Sequence, residues 1–421
     1  MERSLAAEAL KEKEGEKVLL KGWVFEVRDM GNLKFLILRD VSGLIQITAH
    51  KEKTSKDVFE TLSKLSKESV IAVEGKLKAS KQAPGGKEVV PDKIEVMSIS
   101  EQPLPIDIGD RSKTEMPKRL DFRSLDLHSR RTQSIFKIQS EIINSFRSFF
   151  KNKGFIEIQT PCIISAASEG GTELFPVMYF EKPAYLAQSP QLYKQMCMPL
   201  EKVFMTVPVW RAEKHNTPRH INEARQMDIE VAFADDMEVM KELEKVVQFI
   251  AKQINDGCSE ELKQLGITLK IPKAKYLSYN EAIQLLKKNK VKISMGDDLP
   301  PEGERKLCEL FPDAVILVHN WPSKLKPFYI LPEKGFDAIY GNIEISSGGQ
   351  RVHLPDLLIK QLKEKGLNPK HFEDYINSFR YGIPQHAGWS IGLERLTMAM
   401  LGLENIREST LFPRDRDRLV P

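Results

Sequence analysis

The chain has 421 residues, too many for one ordinary domain and enough for two or three. Its hydrophobic fraction of 41% and charged fraction of 29% are those of a globular protein, and its net charge of +4 neither requires nor excludes a nucleic-acid partner. The N-terminal segment is charged, and no stretch approaches the ~18 consecutive apolar residues of a membrane span. We therefore expect a cytoplasmic protein with no membrane partner.

The four cysteines are widely spaced, with no CxxC pair and no histidine partner nearby. This spacing argues against a zinc site and against a disulfide framework. We expect buried or partly buried thiols at Cys162, Cys197, Cys258 and Cys308.

Residues 17–99 carry five β segments separated by turn signals. The segments are VLLKGWVFEVRD, LKFLILRD, LIQITAH, VIAVEGKLKA and KIEVMSI, and a helical patch, KDVFETLSKL, lies between the third and the fourth. Five short strands in this length predict a small closed barrel of the SH3-like or OB type, and the helix favours the OB-fold. Such barrels bind oligonucleotides on one face, although a fold alone does not establish a function.

Residues 100–130 begin with EQPLPIDIG, which has two prolines and little periodicity, and they predict a hinge. A strand, FIEIQT, stops at Pro161 and directly follows a segment with apolar residues at helical spacing, namely Ile135, Ile138, Ile142, Phe146 and Phe149. The remaining chain alternates strands such as MDIEVAFA with helices, and it has neither GxGxxG nor GxxxxGK. These features predict an α+β catalytic domain over 131–421 without a Rossmann or P-loop cradle for a nucleotide.

Two further segments concentrate residues suited to binding anions. In VPVWRAEKHNTPRHINEARQMDIEVAF, a loop between two strands carries cations and hydrogen-bond donors suited to phosphate, with Arg211, Glu213, His215, Arg219 and His220. In GWSIGLERLTMAML, glycines precede a helix whose first turn presents Glu394 and Arg395, where the arginine could hold an anion. Taken singly, a solvated charged hairpin and an ordinary glycine-led helix start explain the two segments about as well.

Together with the helix–strand–proline unit before them, and in this order and spacing, these segments resemble motifs 1, 2 and 3 of the class II aminoacyl-tRNA synthetases. More narrowly, EGGTELFPV, YLAQSPQLYKQM, RAEKHNTPRHINEA, EISSGGQR, FRYGIPQHAGWSIGLERL and LFPRDRDRL are similar to the archaeal and eukaryotic-type aspartyl-tRNA synthetases, over nearly the whole chain. The resemblance implies an OB-fold anticodon-binding domain over 1–99 and a class II catalytic domain with an antiparallel sheet flanked by helices.

The resemblance also implies an activity and its partners. Such enzymes activate L-aspartate with ATP and Mg²⁺ to aspartyl-adenylate, and transfer the aspartyl group to the 3′ end of tRNA(Asp). Motif 1 forms a two-fold interface in class II enzymes, so a homodimer is expected. The alternatives are an asparagine–tRNA ligase, a non-catalytic RNA-binding paralogue, and a synthetase-derived enzyme that makes asparagine but typically lacks the barrel.

Matching positions supply the residues expected to handle ATP. Arg211 is expected to bridge the aspartate carboxylate and the α-phosphate, and Arg395 to meet the γ-phosphate; these are the expected catalytic residues. Glu344 and Ser347 match positions that ligate magnesium, which prefers oxygen ligands. The full expected ATP-binding set is Arg211, Glu213, Arg219, His220, Glu344, Gly392, Glu394 and Arg395.

Lys194 and Arg351 match positions that pair with the side-chain carboxylate of aspartate, and Glu169 would take its α-ammonium. The similar asparaginyl enzymes usually lack this lysine, because a neutral amide would leave a buried ammonium unpaired. Lys194 therefore favours aspartate. The full expected aspartate-binding set is Glu169, Gln191, Lys194, Arg211, Ser347 and Arg351.

Phe35 matches the residue that stacks on an anticodon base in relatives, and Arg28 and Gln46 match neighbours that contact base edges or phosphate. Without the resemblance, Phe35 would more readily be a core residue. Enzymes restricted to tRNA(Asp) tend to have Trp at the position of Phe25 and Lys near Pro84. The residues found here favour the relaxed type, which also charges tRNA(Asn).

Two features depart from the family pattern. Ser390 replaces the middle glycine of motif 3, a change that is tolerated if its side chain points away from the adenine. The chain between Tyr329 and Gly341 is shorter than in most relatives, which would alter the loop over ATP.

Overall fold

The structure, a computed structural model, describes residues 2–109, 112–165 and 174–421. The chain forms two compact units, Met1–Pro105 and Ile106–Pro421. Residues 100–105 thus group with the first unit, while two short helices within 116–126 belong to the second. The predicted division into 1–99, a hinge over 100–130, and 131–421 stays a prediction.

The first unit is a five-stranded barrel. Its elements are α1 (Ala6–Ala9), β1 (Lys17–Asp29), β2 (Leu33–Asp40), β3 (Gly43–His50), α2 (Lys56–Lys64), β4 (Val70–Ala79) and β5 (Lys87–Ser98). The barrel closes in the order β1-β2-β3-β5-β4, with α2 between β3 and β4 in sequence, which confirms the predicted OB-fold. Alternate residues of each strand, such as Leu36 and Leu38, point into the apolar core.

The fifth strand begins at Lys87, before the predicted segment KIEVMSI, and it includes Pro91. Proline cannot donate to a ladder and is usually confined to edges and bulges. Here the β4–β5 register shifts between Glu74 and Gly75, and Gly75 lies opposite Pro91. A Cβ at Gly75 would lie 2.3 Å from the Val90 carbonyl oxygen, so glycine permits the close approach of the two backbones.

The second unit is built on an eight-stranded sheet, beside a small three-stranded one. Their strands are β6 (Ile156–Glu157), β7 (Ile163–Ile164), β8 (Pro176–Tyr179), β9 (Lys182–Leu186), β10 (Lys202–Trp210), β11 (Glu223–Ala232), β12 (Lys273–Ser278), β13 (Ala314–His319), β14 (Ile330–Tyr340), β15 (Ile343–Arg351) and β16 (His386–Gly392). The large sheet has the order β12-β13-β14-β15-β16-β11-β10-β6, and the small one β7-β9-β8. The six inner strands pair antiparallel, and the edge strands β12 and β6 pair parallel to their neighbours.

Helices surround this sheet. They are α3 (Met116–Asp121), α4 (Arg123–Asp126), α5 (Arg130–Lys151), α6 (Gln191–Met196), α7 (Asp236–Gly257), α8 (Ser259–Leu265), α9 (Tyr279–Lys288), α10 (Pro301–Leu310), α11 (Pro355–Glu364), α12 (Glu373–Arg380) and α13 (Leu393–Leu401). The 3₁₀ turns are Pro84–Gly86, Met198–Leu200, Ser323–Leu325, Pro369–Phe372 and Ile406–Ser409. Across the described ranges, we find no helix with the length and apolarity needed to span a membrane.

Helices α5, α7 and α13 pack on the sheet and form the main core with it. The predicted apolar face of α5 is buried there, from Ile135 to Phe146. Trp389 of β16 lies against the aromatic rings of α5 and donates its indole N–H to the Val239 carbonyl oxygen at 2.9 Å. This core confirms the predicted α+β catalytic fold and fixes the strands that carry the site.

Candidate functional site

A cavity of about 320 Å³ opens over β10, β11, β15 and β16. Lys194 is buried and is not part of its lining, and Glu169 lies outside the described residues. The lining brings together the other expected residues of this unit: Gln191, Arg211, Glu213, Arg219, His220, Glu344, Ser347, Arg351, Gly392, Glu394 and Arg395.

The β10–β11 hairpin places its charged loop beside the cavity. The Arg211 amide donates to the Asn222 carbonyl oxygen at 2.9 Å, just after β10 ends. The Asn222 side chain donates in turn to the carbonyl oxygens of Arg211, at 2.7 Å, and of Glu213, at 3.1 Å. Because one amide satisfies two loop carbonyls, Asn222 holds the loop in shape. We did not predict this residue from the sequence.

Three of the expected ATP-binding residues interact within this loop. His220 Nε2 lies 3.5 Å from the Glu213 carboxylate, and His220 Nδ1 lies 2.6 Å from the Thr217 hydroxyl. The Arg211 guanidinium is 4.0 Å from Glu213, and its side chain is 45% exposed. Burial lowers the pKa of His220, which favours the neutral ring at pH 7. Arg211 thus presents an exposed positive charge to the cavity that it lines.

Arg219 is held by partners outside the loop. Its guanidinium pairs with Glu304 of α10 at 2.5 Å and donates to the Asn342 carbonyl oxygen at 2.5 Å. Arg219 and Glu304 border a smaller recess that adjoins Glu344 and Arg395. α10 therefore fixes one of the expected phosphate-binding cations at that side of the cavity.

A second brace reaches the loop from the turn Ile406–Ser409. The buried Arg407 guanidinium pairs with Asp415 at 2.6 Å, donates to the Thr217 carbonyl oxygen at 3.1 Å, and bonds the Asn216 side chain. Arg407 thus links the loop to the C-terminal segment. The surrounding sequence, ENIREST, carries no periodicity or motif that would have singled this arginine out.

Arg395 and Glu344 meet at another wall of the cavity. Arg395 donates to the Glu344 backbone carbonyl oxygen at 3.1 Å and lies 3.7 Å from its carboxylate. Burial, followed by repulsion from Asp337, raises the pKa of Glu344 to about 7, although Arg395 opposes the shift. A further cation close to Glu344 would therefore stabilise the ionised form of its carboxyl group.

Glu394 faces the cavity but is bound to backbone. Its two carboxylate oxygens accept from the Arg225 amide at 3.0 and 3.2 Å and tie the start of α13 to β11. Burial raises the pKa of Glu394 to about 7. Gly392, directly before the helix, is its N-cap residue.

The floor of the cavity is a cluster of four buried charges. Arg351 donates two hydrogen bonds to Glu230, at 2.8 and 3.2 Å. The Lys194 ammonium lies 3.3 Å from both Glu230 and Asp228 and donates to two backbone carbonyl oxygens. Burial alone would raise the pKa of Glu230, but Arg351 and Lys194 lower it to about 2, whereas burial keeps the pKa of Asp228 raised.

We did not predict Asp228 and Glu230, although the sequence carried a signal for them. On β11 they alternate with Met227 and Ile229, which belong to the apolar core, so their side chains point to the other face of the sheet. Fully buried carboxylates are rare unless they are paired. Two of them at alternate positions of a central strand therefore indicated a polar site.

Ser390 and Gly388 of β16 border this cluster. Ser390 lines the cavity, and its buried hydroxyl oxygen lies against Asp228, its cross-strand partner. A Cβ at Gly388 would lie 2.3 Å from the Ile229 carbonyl oxygen and 2.5 Å from the Glu230 carboxylate. The packing of the sheet, rather than the approach of a nucleotide, accounts for the glycine at 388.

In the barrel, the expected anticodon residues lie on one outer face. Phe35 is the cross-strand partner of Arg28 on one side and of Thr48 on the other. Phe35 is half-buried and lies outside the barrel core, while Arg28 is exposed. Gln46 is buried, and its amide donates to Glu88 at 3.0 Å and to Thr48 at 3.2 Å. The face thus has an aromatic ring, a cation and a hydrogen-bonded amide.

The two residues expected to set tRNA choice lie in irregular parts of the barrel. Phe25 is the extra residue of a bulge between Val24 and Glu26 on β1. The Arg39 and Lys67 cations lie 5.6 and 5.5 Å from the centre of its ring. Pro84 is exposed and opens the turn Pro84–Gly86.

The antiparallel sheet, the charged hairpin loop and the arginine-bearing helix around one cavity define a class II aminoacyl-tRNA synthetase, here with an OB-fold barrel. A family model described as tRNA synthetases class II (D, K and N) matches residues 115–416, and the chain belongs to that family. A model of the OB-fold nucleic acid binding domain matches residues 18–97.

Known relatives are similar along the whole chain. The protein is 46% identical to an aspartate–tRNA(Asp/Asn) ligase of Methanothermobacter thermautotrophicus, over 97% of this chain and 96% of the relative. It is 46% identical to an aspartate–tRNA(Asp) ligase of Pyrococcus horikoshii, over 98% of each. A crystal structure of asparaginyl-tRNA synthetase from Pyrococcus horikoshii with asparaginyl-adenylate matches with a TM-score of 0.95 at 34% identity, over 100% of both chains. The predicted family is confirmed.

Proposed function

We propose that the protein is an aspartate–tRNA ligase, which activates L-aspartate with ATP and transfers the aspartyl group to the 3′ end of tRNA. The observation that carries the proposal is the buried pair of cations, Lys194 and Arg351, at the floor of the cavity. Full-length relatives named as aspartate ligases support it at 46% identity.

The activation step depends on alignment rather than on a general base. An amino-acid carboxylate is already ionised at pH 7, so the protein must bring it to the α-phosphate and stabilise charge at phosphorus. We assign the bridging role to the exposed Arg211 guanidinium and the γ-phosphate to Arg395. The other residues assigned to ATP are Glu213, Arg219, His220, Glu344, Gly392 and Glu394.

Mg²⁺ fits the wall formed by Glu344 and Ser347. Both line the cavity and carry side-chain oxygen atoms, the ligands that Mg²⁺ prefers. Among the described residues, no group of three or more His, Cys, Asp or Glu side chains could hold a metal ion. This agrees with an ion held by one or two protein ligands and by phosphate oxygens, whose charge it would neutralise.

The choice of aspartate follows from the charge of the floor. Arg351 lines the cavity and is the cation assigned to the side-chain carboxylate. Lys194, from below, lies 3.3 Å from both Glu230 and Asp228 and offsets part of their negative charge, which would otherwise repel a second carboxylate. Gln191, Ser347 and Arg211 complete the set within the lining. The α-ammonium is assigned to Glu169, which lies outside the described residues.

The acceptor is a tRNA, read by the outer face of the barrel at Arg28, Phe35 and Gln46. Phe25 and Pro84 favour an enzyme that accepts both tRNA(Asp) and tRNA(Asn), and the Methanothermobacter relative is named as a ligase for both. We further propose a homodimer through the segment of α5 and β6. The apolar side chain of Ile156 on β6 is 46% exposed in the single chain and would be covered in such a dimer.

Aminoacylation of separate tRNA(Asp) and tRNA(Asn) transcripts with labelled aspartate tests the proposal. Charging of both transcripts supports an enzyme that accepts both tRNAs. Charging of tRNA(Asp) alone would show that the enzyme is specific for one tRNA. No aspartyl product on either transcript would refute the ligase. The second candidate is an asparagine–tRNA ligase, which the similarity to the asparaginyl structure supports. A parallel reaction with labelled asparagine tests it.

A further inference from the structure

A buried chain of hydrogen bonds lies below the cavity, and of its four residues only Gln191 has been assigned a role so far. It runs from His386, the first residue of β16, through Gln195 of α6 to Gln191, which lines the cavity. Tyr375 of α12 joins it at Gln195. Gln195 and His386 are completely buried, so their side chains are bonded to protein groups and not to bulk water.

The protonation of His386 is fixed from one side. Its Nδ1 atom lies 2.7 Å from the Pro384 carbonyl oxygen, which can only accept a hydrogen bond, so Nδ1 carries the proton. Burial lowers the pKa of His386 to about 4, and the ring is therefore neutral at pH 7. Its Nε2 atom then has a lone pair and can only accept.

This tautomer sets the orientation of the Gln195 amide. The atom of Gln195 that lies 2.9 Å from His386 Nε2 must be its NH₂ group, because the ring nitrogen only accepts. The Gln195 carbonyl oxygen is then on the other side. There it accepts from the Tyr375 hydroxyl at 2.9 Å and from the Gln191 amide at 3.0 Å.

The orientation of the Gln195 amide in turn sets that of Gln191 at the cavity. Gln191 must use its NH₂ group toward Gln195, which leaves its carbonyl oxygen for the cavity that it lines. A carbonyl oxygen attracts an ammonium group and repels a carboxylate. We propose that His386 is a positioning residue that acts through Gln195 to present the Gln191 carbonyl oxygen to the α-ammonium of the bound amino acid. This inference rests on the proposed function, since it needs an amino-acid substrate.

His386→Phe tests the role, because it removes the accepting nitrogen and keeps a ring that can stack on Phe379. In aspartate-dependent ATP–pyrophosphate exchange, we expect the KM for aspartate to rise about 10- to 100-fold, the range for a hydrogen bond to a charged group. The KM for ATP should stay unchanged. Tyr375→Phe is the matched control, because it removes a bond to the same amide without releasing its orientation; its KM for aspartate should change about twofold or less.

Succinate separates positioning from general damage to the pocket. It has both carboxylates of aspartate and no ammonium, so its inhibition constant should be the same for wild type and His386→Phe. Equal weakening of succinate and aspartate, or an unchanged KM for aspartate, would overturn the inference. Gln195→Met, of similar length, should give the same selective loss if His386→Phe does not fold. A wild-type enzyme without aspartate-dependent exchange would overturn the proposed function instead.

Discussion

At the scale of single residues, the proposed choice of aspartate depends most on Lys194. It is 1% exposed and shares the floor of the cavity with Arg351, Asp228 and Glu230. Two cations and two carboxylates leave the floor close to neutral. Replacing the ammonium by an apolar group would leave an excess of negative charge that repels a second carboxylate.

Lys194→Met is therefore expected to lower kcat/KM for aspartate about 100-fold in pyrophosphate exchange, the effect of about 3 kcal/mol of lost attraction. The value for asparagine should change much less, because its amide carries no charge. Lys360→Met is the control, since Lys360 is exposed on α11 and makes one surface ion pair. An unchanged preference for aspartate over asparagine in Lys194→Met would contradict this account of specificity.

The titration of Glu394 makes the stability of the folded protein depend on pH. Burial raises its pKa from 4.5 to about 7, so between these values the folded state keeps a proton that the unfolded state releases. The contribution of Glu394 to stability is therefore full below pH 4.5 and falls as the pH rises to about 7. Glu394→Gln removes this dependence and leaves an oxygen that can accept from the Arg225 amide.

We expect the free energy of unfolding of Glu394→Gln, relative to wild type, to increase by up to about 3 kcal/mol between pH 4.5 and pH 8. Denaturant titrations of both proteins at a series of pH values measure the difference. A difference that is constant with pH would show that the carboxyl group titrates normally in the folded protein.

The residues of the site were predictable to the extent that they belong to continuous motifs. Arg211, Glu344 and Arg395 each stand in a recognisable segment, and the structure places all three around one cavity. Arg407 could not be found in this way, because it acts on a backbone carbonyl of a loop distant in sequence. Asn222 stands within RAEKHNTPRHINEA, but nothing local shows that its amide bonds two carbonyl oxygens of the loop. Their roles depend on tertiary contacts, which no local pattern encodes.

At the scale of elements, β16 owes its position to the close approach of β11. The Ile229 carbonyl oxygen would lie 2.3 Å from a Cβ at Gly388. Gly388→Ala is expected to destabilise the protein by about 1 to 3 kcal/mol through overpacking, and to displace Glu230 enough to weaken aspartate binding. Thermal unfolding and pyrophosphate exchange measure the two effects.

Gly257→Ala is the matched control for that substitution. Gly257 ends α7, and nothing lies within 4 Å of a Cβ built there. The change should be neutral or should stabilise the protein by up to about 1 kcal/mol, because alanine favours a helix. Equal stability of the two alanine variants would mean that β16 can shift to accept a side chain.

The elements with a long repeat were predicted best. The apolar spacing of α5 extends over many turns, and the helix occupies Arg130–Lys151 around the predicted segment. The predicted strand FIEIQT, by contrast, forms only Ile156–Glu157, because it lies at the parallel edge of the sheet and pairs with β10 alone. The early start of β5 was missed because Pro91 argues against a strand unless the bulge beside Gly75 is known.

At the scale of the whole molecule, the chain separates recognition of tRNA from the chemistry of activation. The barrel and the catalytic unit each have their own apolar core. From the sequence, this organisation followed from the change of pattern after residue 99 and from the resemblance to a family. The network under the cavity did not follow, since His386, Gln195 and Tyr375 are far apart in the chain and meet only in the fold.

Phe35→Ala tests this separation of roles. Loss of a stacked base costs about 1 to 3 kcal/mol, so we expect the KM for tRNA in aminoacylation to rise about 5- to 150-fold. Aspartate-dependent pyrophosphate exchange should not change, because it needs only the catalytic unit. Lys56→Ala, on the exposed surface of α2, is the control within the barrel and should leave both reactions as they are. Equal losses in exchange and aminoacylation would show that Phe35 stabilises the folded protein instead of binding tRNA. A loss confined to aminoacylation supports its contact with the anticodon.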